Sequence, residues 1–376
     1  MAVYRIFPQQ DTFISTEEKT GNAGKDEVIE IGGYPKSTNP YQALGQTNRI
    51  LTQFADSEIT DVVDNIIGNT DFSSSIHLYL AEASEIPSEL TIYAYPIYID
   101  NNSWDNGTGK FGDYPVNTTG VSWEYIKADK TIPWPTGSFP TNVTASFSSS
   151  PAGGGNWYTV SNGESMEFSE TQTLTSTYDL DINVTAAIKQ MYGNTLTNNG
   201  FIIKLQDSLE SNVSSSIRLK YFGEDSNTIY PPYLEMQWDD STYTTGSLSL
   251  LSTDQSTIGI KNNKGNYPDT GKQRFRISAR PQYPTRTFTT SSVYLTEYAL
   301  PSGSYWGLRD ENTEEMVVDF STEFTKISCD SEGAFFDVYM GGLQPERYYR
   351  ILIKTELDTS TVVRDGNNVF KVVRNG

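Results

Sequence analysis

The chain has 376 residues, 36% hydrophobic and 12% aromatic, with 27 Lys and Arg against 47 Asp and Glu for a formal charge of −20. One cysteine, Cys329, excludes an intrachain disulfide framework and a multi-cysteine zinc site, and one histidine, His77, excludes a histidine-rich metal centre. No apolar run approaches the roughly 18 residues of a membrane span, and so negative a charge disfavours nucleic acid, whose phosphates are held by clustered Lys and Arg.

The start, Met1-Ala2-Val3-Tyr4-Arg5, lacks the apolar stretch of a secretory signal, so synthesis in the cytosol as a soluble chain is expected. Residues 1–240 carry 12 Lys and Arg against 31 Asp and Glu, whereas residues 241–376 carry 15 against 16. This step predicts an acidic domain over 1–240 and a near-neutral one over 241–376, divided at the polar Asp239-Asp240-Ser241-Thr242.

In chain order, short strands are predicted at Val3–Phe7, Asp11–Ser15, Glu27–Gly33, Ile76–Leu80 and Thr91–Tyr98. Ile76, Leu78 and Leu80 share one face by a period of two, with His77 opposite, and Pro96 points to an edge or a bulge. Helices are predicted at Asp56–Ile67 and Asp181–Gly193. Between residues 100 and 165, Trp104, Trp123, Trp134 and Trp157 stand among Gly, Pro, Asn, Ser and Thr, which predicts long surface loops with short strands. Strands resume at Gly200–Leu205, Ser216–Tyr221, Tyr233–Trp238, Arg274–Ala279, Met316–Phe320, Phe335–Met340 and Arg347–Lys354. The expectation is an all-β chain: an N-terminal jelly-roll-like β-sandwich and a smaller, Ig-like C-terminal one.

Residues 1–240 resemble the jelly-roll modules labelled DNRLRE-like, which occur in surface and carbohydrate-active proteins. The resemblance is carried by Asp11-Thr12-Phe13-Ile14, the Gly21–Gly24 turn, Arg49–Phe54, Gly120–Trp123, Asn199–Leu205 and Pro231–Glu235. Residues 272–373 resemble virion structural proteins of large marine tailed bacteriophages, through residues 280–290, Tyr298–Trp306 and Gly342–Tyr349. That resemblance implies a neck, tail or baseplate component located in the virion.

Catalytic chemistry finds little footing. A serine triad could use only His77, which lacks a nearby Gly-x-Ser-x-Gly elbow, and Cys329 reads as a small buried hydrophobe. Glu164, Glu167 and Glu170 recur at three-residue intervals in polar surroundings that favour a solvated face over a glycosidase pair. Asp100–Gly107 is rich in oxygen donors without EF-hand spacing, so an Asx-rich turn is the simpler reading. No cofactor or metal ligand set is assigned.

The leading expectation is therefore a non-enzymatic virion protein acting by protein–protein assembly, as a homo-oligomer with other virion proteins. Arg280, Arg286, Tyr298, Tyr305, Trp306, Arg347 and Tyr348 are the docking candidates, since Tyr, Trp and Arg are enriched at interface hot spots. The alternative is a carbohydrate-binding module that grips a host-surface glycan through Trp104, Trp123, Trp134 and Trp157, although aromatics also fill cores and anchor interfaces.

Overall fold

The computed structural model describes residues 2–35, 45–84, 86–100, 102–136, 139–145, 153–210, 216–240, 243–253, 255–285, 295–357 and 360–374. The chain is all-β, with 46% strand and 10% helix. It divides into two compact units, Ile6–Glu235 and Met236–Gly376, and Met1–Arg5 groups with the second. The first residues belong there because Val3 packs on the second unit's core and the Arg5 guanidinium donates to the Val317 carbonyl.

After β1 (Ala2–Ile6), of which all but Ile6 groups with the second unit, the first unit uses β2 (Gln10–Ser15), β3 (Val28–Pro35), β4 (Gly45–Gln53), β5 (Ser73–Leu78) and β6 (Leu80–Ser84). It continues with β7 (Glu89–Pro96), β8 (Phe168–Thr173), β9 (Leu180–Asn183), β10 (Phe201–Leu205), β11 (Ile217–Phe222) and β12 (Tyr233–Trp238). The larger sheet runs β8-β7-β10-β4-β3-β11-β6, with β2 also on β4, and the smaller runs β1-β12-β5-β9. Pro96 lies past the last β8 partner of β7, Ala94, where only β10 pairs, so its missing N–H breaks no ladder on that side.

The expected helix from Asp181 begins later, at α2 (Thr185–Tyr192). Leu180 and Ile182 are buried, Asp181 and Asn183 are exposed, and this alternation places the segment in β9 opposite Leu78 and Ile76 of β5. The earlier helix forms as α1 (Asp56–Asp61), continues as a π-helical turn over Val62–Ile67, and stops at Gly68, whose φ of 76° favours glycine.

All five residues of β10 are buried, the pattern of a strand covered on both faces. Ile202 joins Ile14 and Leu51 in a cluster with Trp104, Trp123, Trp134 and Trp157, so these tryptophans, with Ile97, Ile99, Val121 and Ile126, form an added layer over this face of the large sheet. Asn22, buried in the Gly21–Gly24 turn, ties that layer down. Its amide donates to the Asn106 and Val121 carbonyls at 2.5 and 2.9 Å and accepts from the Gly24 and Gly109 N–H groups at 3.1 and 2.9 Å. All four of its hydrogen-bonding positions are thereby filled.

Asp11 at the start of β2 is 4% exposed and accepts the Glu224 N–H at 2.9 Å. Burial pushes its carboxyl up to about 7; the Glu224 N–H opposes the shift, and the Glu224 and Asp225 charges add to it. Between about pH 4, where an unfolded aspartate titrates, and about 7, the folded state holds a proton that the unfolded chain has lost. Stability from this group is thus full at low pH and falls as pH rises through that window. Asp11→Asn keeps an acceptor for Glu224 without the charge. Its melting temperature relative to wild type should climb from pH 4 to 7 and then level, by about 2–4 °C per kcal/mol regained; parallel profiles in a pH series of thermal melts would contradict this.

The second unit uses β13 (Ser256–Lys261), β14 (Asn266–Pro268), β15 (Lys272–Pro281), β16 (Ser304–Asp310) and β17 (Met316–Val318). It is completed by β18 (Ser328–Asp330), β19 (Gly333–Tyr339), β20 (Tyr348–Leu357) and β21 (Ser360–Val373). Two sheets, β13-β15-β19-β18 and β14-β21-β20-β16-β17, enclose one core. Phe275, Trp306, Phe336 and Phe370 fill it: Phe336 stacks on Phe275 and Trp306 at 5.4 and 5.0 Å, and Phe370 lies 5.2 Å from Phe275.

Candidate functional site

Strand alternation builds a charged outer face on the sheet β13-β15-β19-β18. Phe275, Ile277 and Ala279 of β15 point into the core, which turns Lys272, Arg274, Arg276, Ser278 and Arg280 outward. On β19, Ala334, Phe336 and Val338 point inward and Phe335, Asp337 and Tyr339 outward. The register sets Lys272 opposite Tyr339, Arg274 opposite Asp337 and Arg276 opposite Phe335. Lys261 of β13 sits opposite Arg276, and Asp330 of β18 opposite Gly333.

These side chains engage one another across the strands. Arg274 makes a bidentate pair with Asp337 at 2.8 and 2.9 Å and lies 3.9 Å over the Phe335 ring. Arg276 pairs with Asp330 at 2.5 Å and Glu332 at 3.0 Å, and Lys272 reaches Asp337 at 3.1 Å and Asp240 at 3.6 Å. Burial opposes ionisation of Asp337, yet hydrogen bonds from Arg274 and Lys272 outweigh it and hold the carboxyl below its ordinary range. The Arg276 hydrogen bond does the same for Asp330. The stabilisation from both carboxylates is present above the unfolded value near 4 and is lost as pH falls below it.

The docking residues read from the sequence do not form one patch. Arg280 lies at the end of the charged face, half-buried, and donates to the Pro281 carbonyl at 3.3 Å. Tyr348 is 46% exposed but belongs to the other sheet, with Lys371 5.7 Å from its ring. Tyr298 is partly buried against the core, and Arg286 lies outside the described residues. Three assignments are corrected. Trp306 is a core residue, because alternation along β16 turns it onto Phe336. Tyr305 is buried beneath Lys354, which lies 5.5 Å from its ring. Arg347 is committed to the buried Asp310 carboxylate, with its Nε at 2.7 Å. The missed residues, Lys272, Arg274, Arg276, Phe335 and Asp337, carry a period-two signal in the sequence.

The four tryptophans of the glycan alternative are corrected as well: all are buried, which leaves no indole face to stack on a sugar. Two of them, Trp123 and Trp157, lie against a buried ionic cluster. The Arg49 guanidinium pairs with Glu210 at 2.9 and 2.6 Å, donates to the Gly154 carbonyl, and lies 5.1 and 5.3 Å from the Trp123 and Trp157 rings. Lys204 reaches Glu210 at 3.2 Å and the Leu205 carbonyl at 3.1 Å, and also pairs with Asp207.

The remaining candidates are held by separate partners. Glu164 accepts from Gln190, Glu167 from the Tyr95 hydroxyl, and Glu170 from the Asp181 N–H. Asp105 faces Lys127 at 3.3 Å. His77 stacks on Tyr233 at 4.7 Å and meets Asp181 at 3.4 Å, and Cys329 is buried, with burial raising its thiol. Among the described residues, no group of three or more His, Cys, Asp or Glu is placed to hold a metal, and no helix is long and apolar enough to cross a membrane. No family model matches the chain, and no curated protein matches it.

Removing Glu210 leaves Arg49 and Lys204 buried as like charges. Glu210→Ala should cost about 3–5 kcal/mol in denaturant unfolding and shift tryptophan emission to the red as water reaches Trp123 and Trp157. An unchanged midpoint and spectrum would show that the cluster does not hold this layer.

Proposed function

We propose that this chain is a non-enzymatic structural component of a tailed-phage virion, in the neck, tail or baseplate, that acts by binding other virion proteins and copies of itself. The observation that carries the assembly reading is the outer face of β13-β15-β19-β18. It combines exposed Arg and Lys side chains with half-buried aromatic rings on a rigid sheet, the composition of an interface rather than of a reaction site. Of the groups weighed for catalysis, His77 stacks on Tyr233 with its Nε2 3.4 Å from Asp181, and Cys329 is buried. The virion placement rests on the resemblance of residues 272–373 to phage structural proteins.

The acidic first unit suits outward display, because its charge repels DNA and other acidic copies. Quantitative mass spectrometry of gradient-purified particles should recover the chain at a fixed copy number relative to the major capsid protein. Its absence from intact particles would refute the virion reading.

A further inference from the structure

The charged face of the second unit is divided by sign. Its cations stand on one side, Lys261 on β13 and Lys272, Arg274 and Arg276 on β15. Its anions stand on the other, Asp337 on β19, Asp330 on β18 and Glu332 in the turn that joins them, and Glu297 reaches across to pair with Lys261 at 2.6 Å and accept from the Ser278 hydroxyl at 3.3 Å. The boundary between the two halves runs parallel to the strands. We propose that this face binds a second copy of the chain about a two-fold axis lying along the strand direction.

A half-turn about an axis parallel to the strands exchanges left and right, so each copy's cationic half covers the other's anionic half. A half-turn about the in-plane axis across the strands sets cation over cation and anion over anion. Only the first arrangement is complementary, so the charge pattern selects one orientation as well as one partner.

Lys261 and Arg276 then approach the second copy's Asp330 and Glu332, the solvent-accessible acids of the face. The intramolecular pairs do not preclude this: a guanidinium has five donors, and Arg274 gives two of its N–H groups to Asp337. Lys272 and Arg274 remain 41% and 44% exposed, and Glu332 75%. Residues 241–376 carry 15 Lys and Arg against 16 Asp and Glu, so two such surfaces meet without net repulsion.

With strands about 4.8 Å apart and rising about 3.4 Å per residue, four strands offer on the order of 500 Å² per copy, below the roughly 800 Å² of a standard interface. The dimer is therefore expected to be weak, in the micromolar range or above, and sensitive to salt. In an assembly, this contact would be reinforced by others on the same particle. The inference rests on the assembly reading and names its partner and surface.

Sedimentation of the full-length chain tests it with two charge-reversed variants that spare Arg274 and the buried Asp337. Lys261→Glu with Arg276→Glu makes the face acidic, and Asp330→Lys with Glu332→Lys makes it basic; circular dichroism confirms that each is folded. The wild type should dimerise, and raising the salt from about 0.05 to 0.5 M should weaken it at least tenfold. Each variant alone should be monomeric, and an equal mixture should form the heterodimer. A wild type that stays monomeric at about 200 µM, or a mixture that fails to pair, overturns the proposal. Self-association of both variants at the wild-type level also overturns this face, while leaving assembly through another surface in place.

Discussion

Alternation along a strand is the constraint on which both units depend. A strand with one face in a core must direct every second side chain away from it, and the outward set needs cover or solvation. The two units answer differently. Over β4 and β10 the outward set includes Leu51 and Ile202, and the tryptophan layer covers them. The same rows carry Arg49 and Lys204 under that layer, so Glu210 and backbone carbonyls must neutralise and bond them. In the second unit the outward set of β15 is cationic and remains solvated beside the carboxylates of its neighbours.

This difference bears on function. A cation enclosed with its partners, as Arg49 is, has its bonding capacity spent on holding loops to a sheet. A cation on an open face, as Arg276 is, keeps its partners within reach of solvent and of another molecule. The acidic surplus of residues 1–240 works in the same direction, since it keeps those surfaces apart and leaves residues 241–376 as the region where close packing meets the least repulsion.

Much of the fold was legible because alternation is a local signal. Arg274-Phe275-Arg276-Ile277 announces a strand with a charged outer row, and Ile76-His77-Leu78 places the histidine away from the core. A core role for the tryptophans was legible from residue type, but the residues they pack on were not, because Ile14, Leu51 and Ile202 lie far away in the chain. Arg49 and Glu210 are separated by 161 positions, so no spacing rule joins them. Asp181–Asn183 looked helical because it runs into α2 with no break between them; its pairing with β5 decides otherwise. Trp306 and Arg347 were chosen by residue type, and type alone does not say which face of a strand a side chain occupies.

The most direct test of assembly through the charged face is zero-length carbodiimide cross-linking of an equal mixture of ¹⁴N- and ¹⁵N-labelled protein, read by mass spectrometry. Mixed-isotope peptides joining Lys261 or Lys272 of one copy to Asp330 or Glu332 of the other are the predicted result. Cross-links at these positions confined to single-isotope peptides, with mixed products arising elsewhere or not at all, would contradict it.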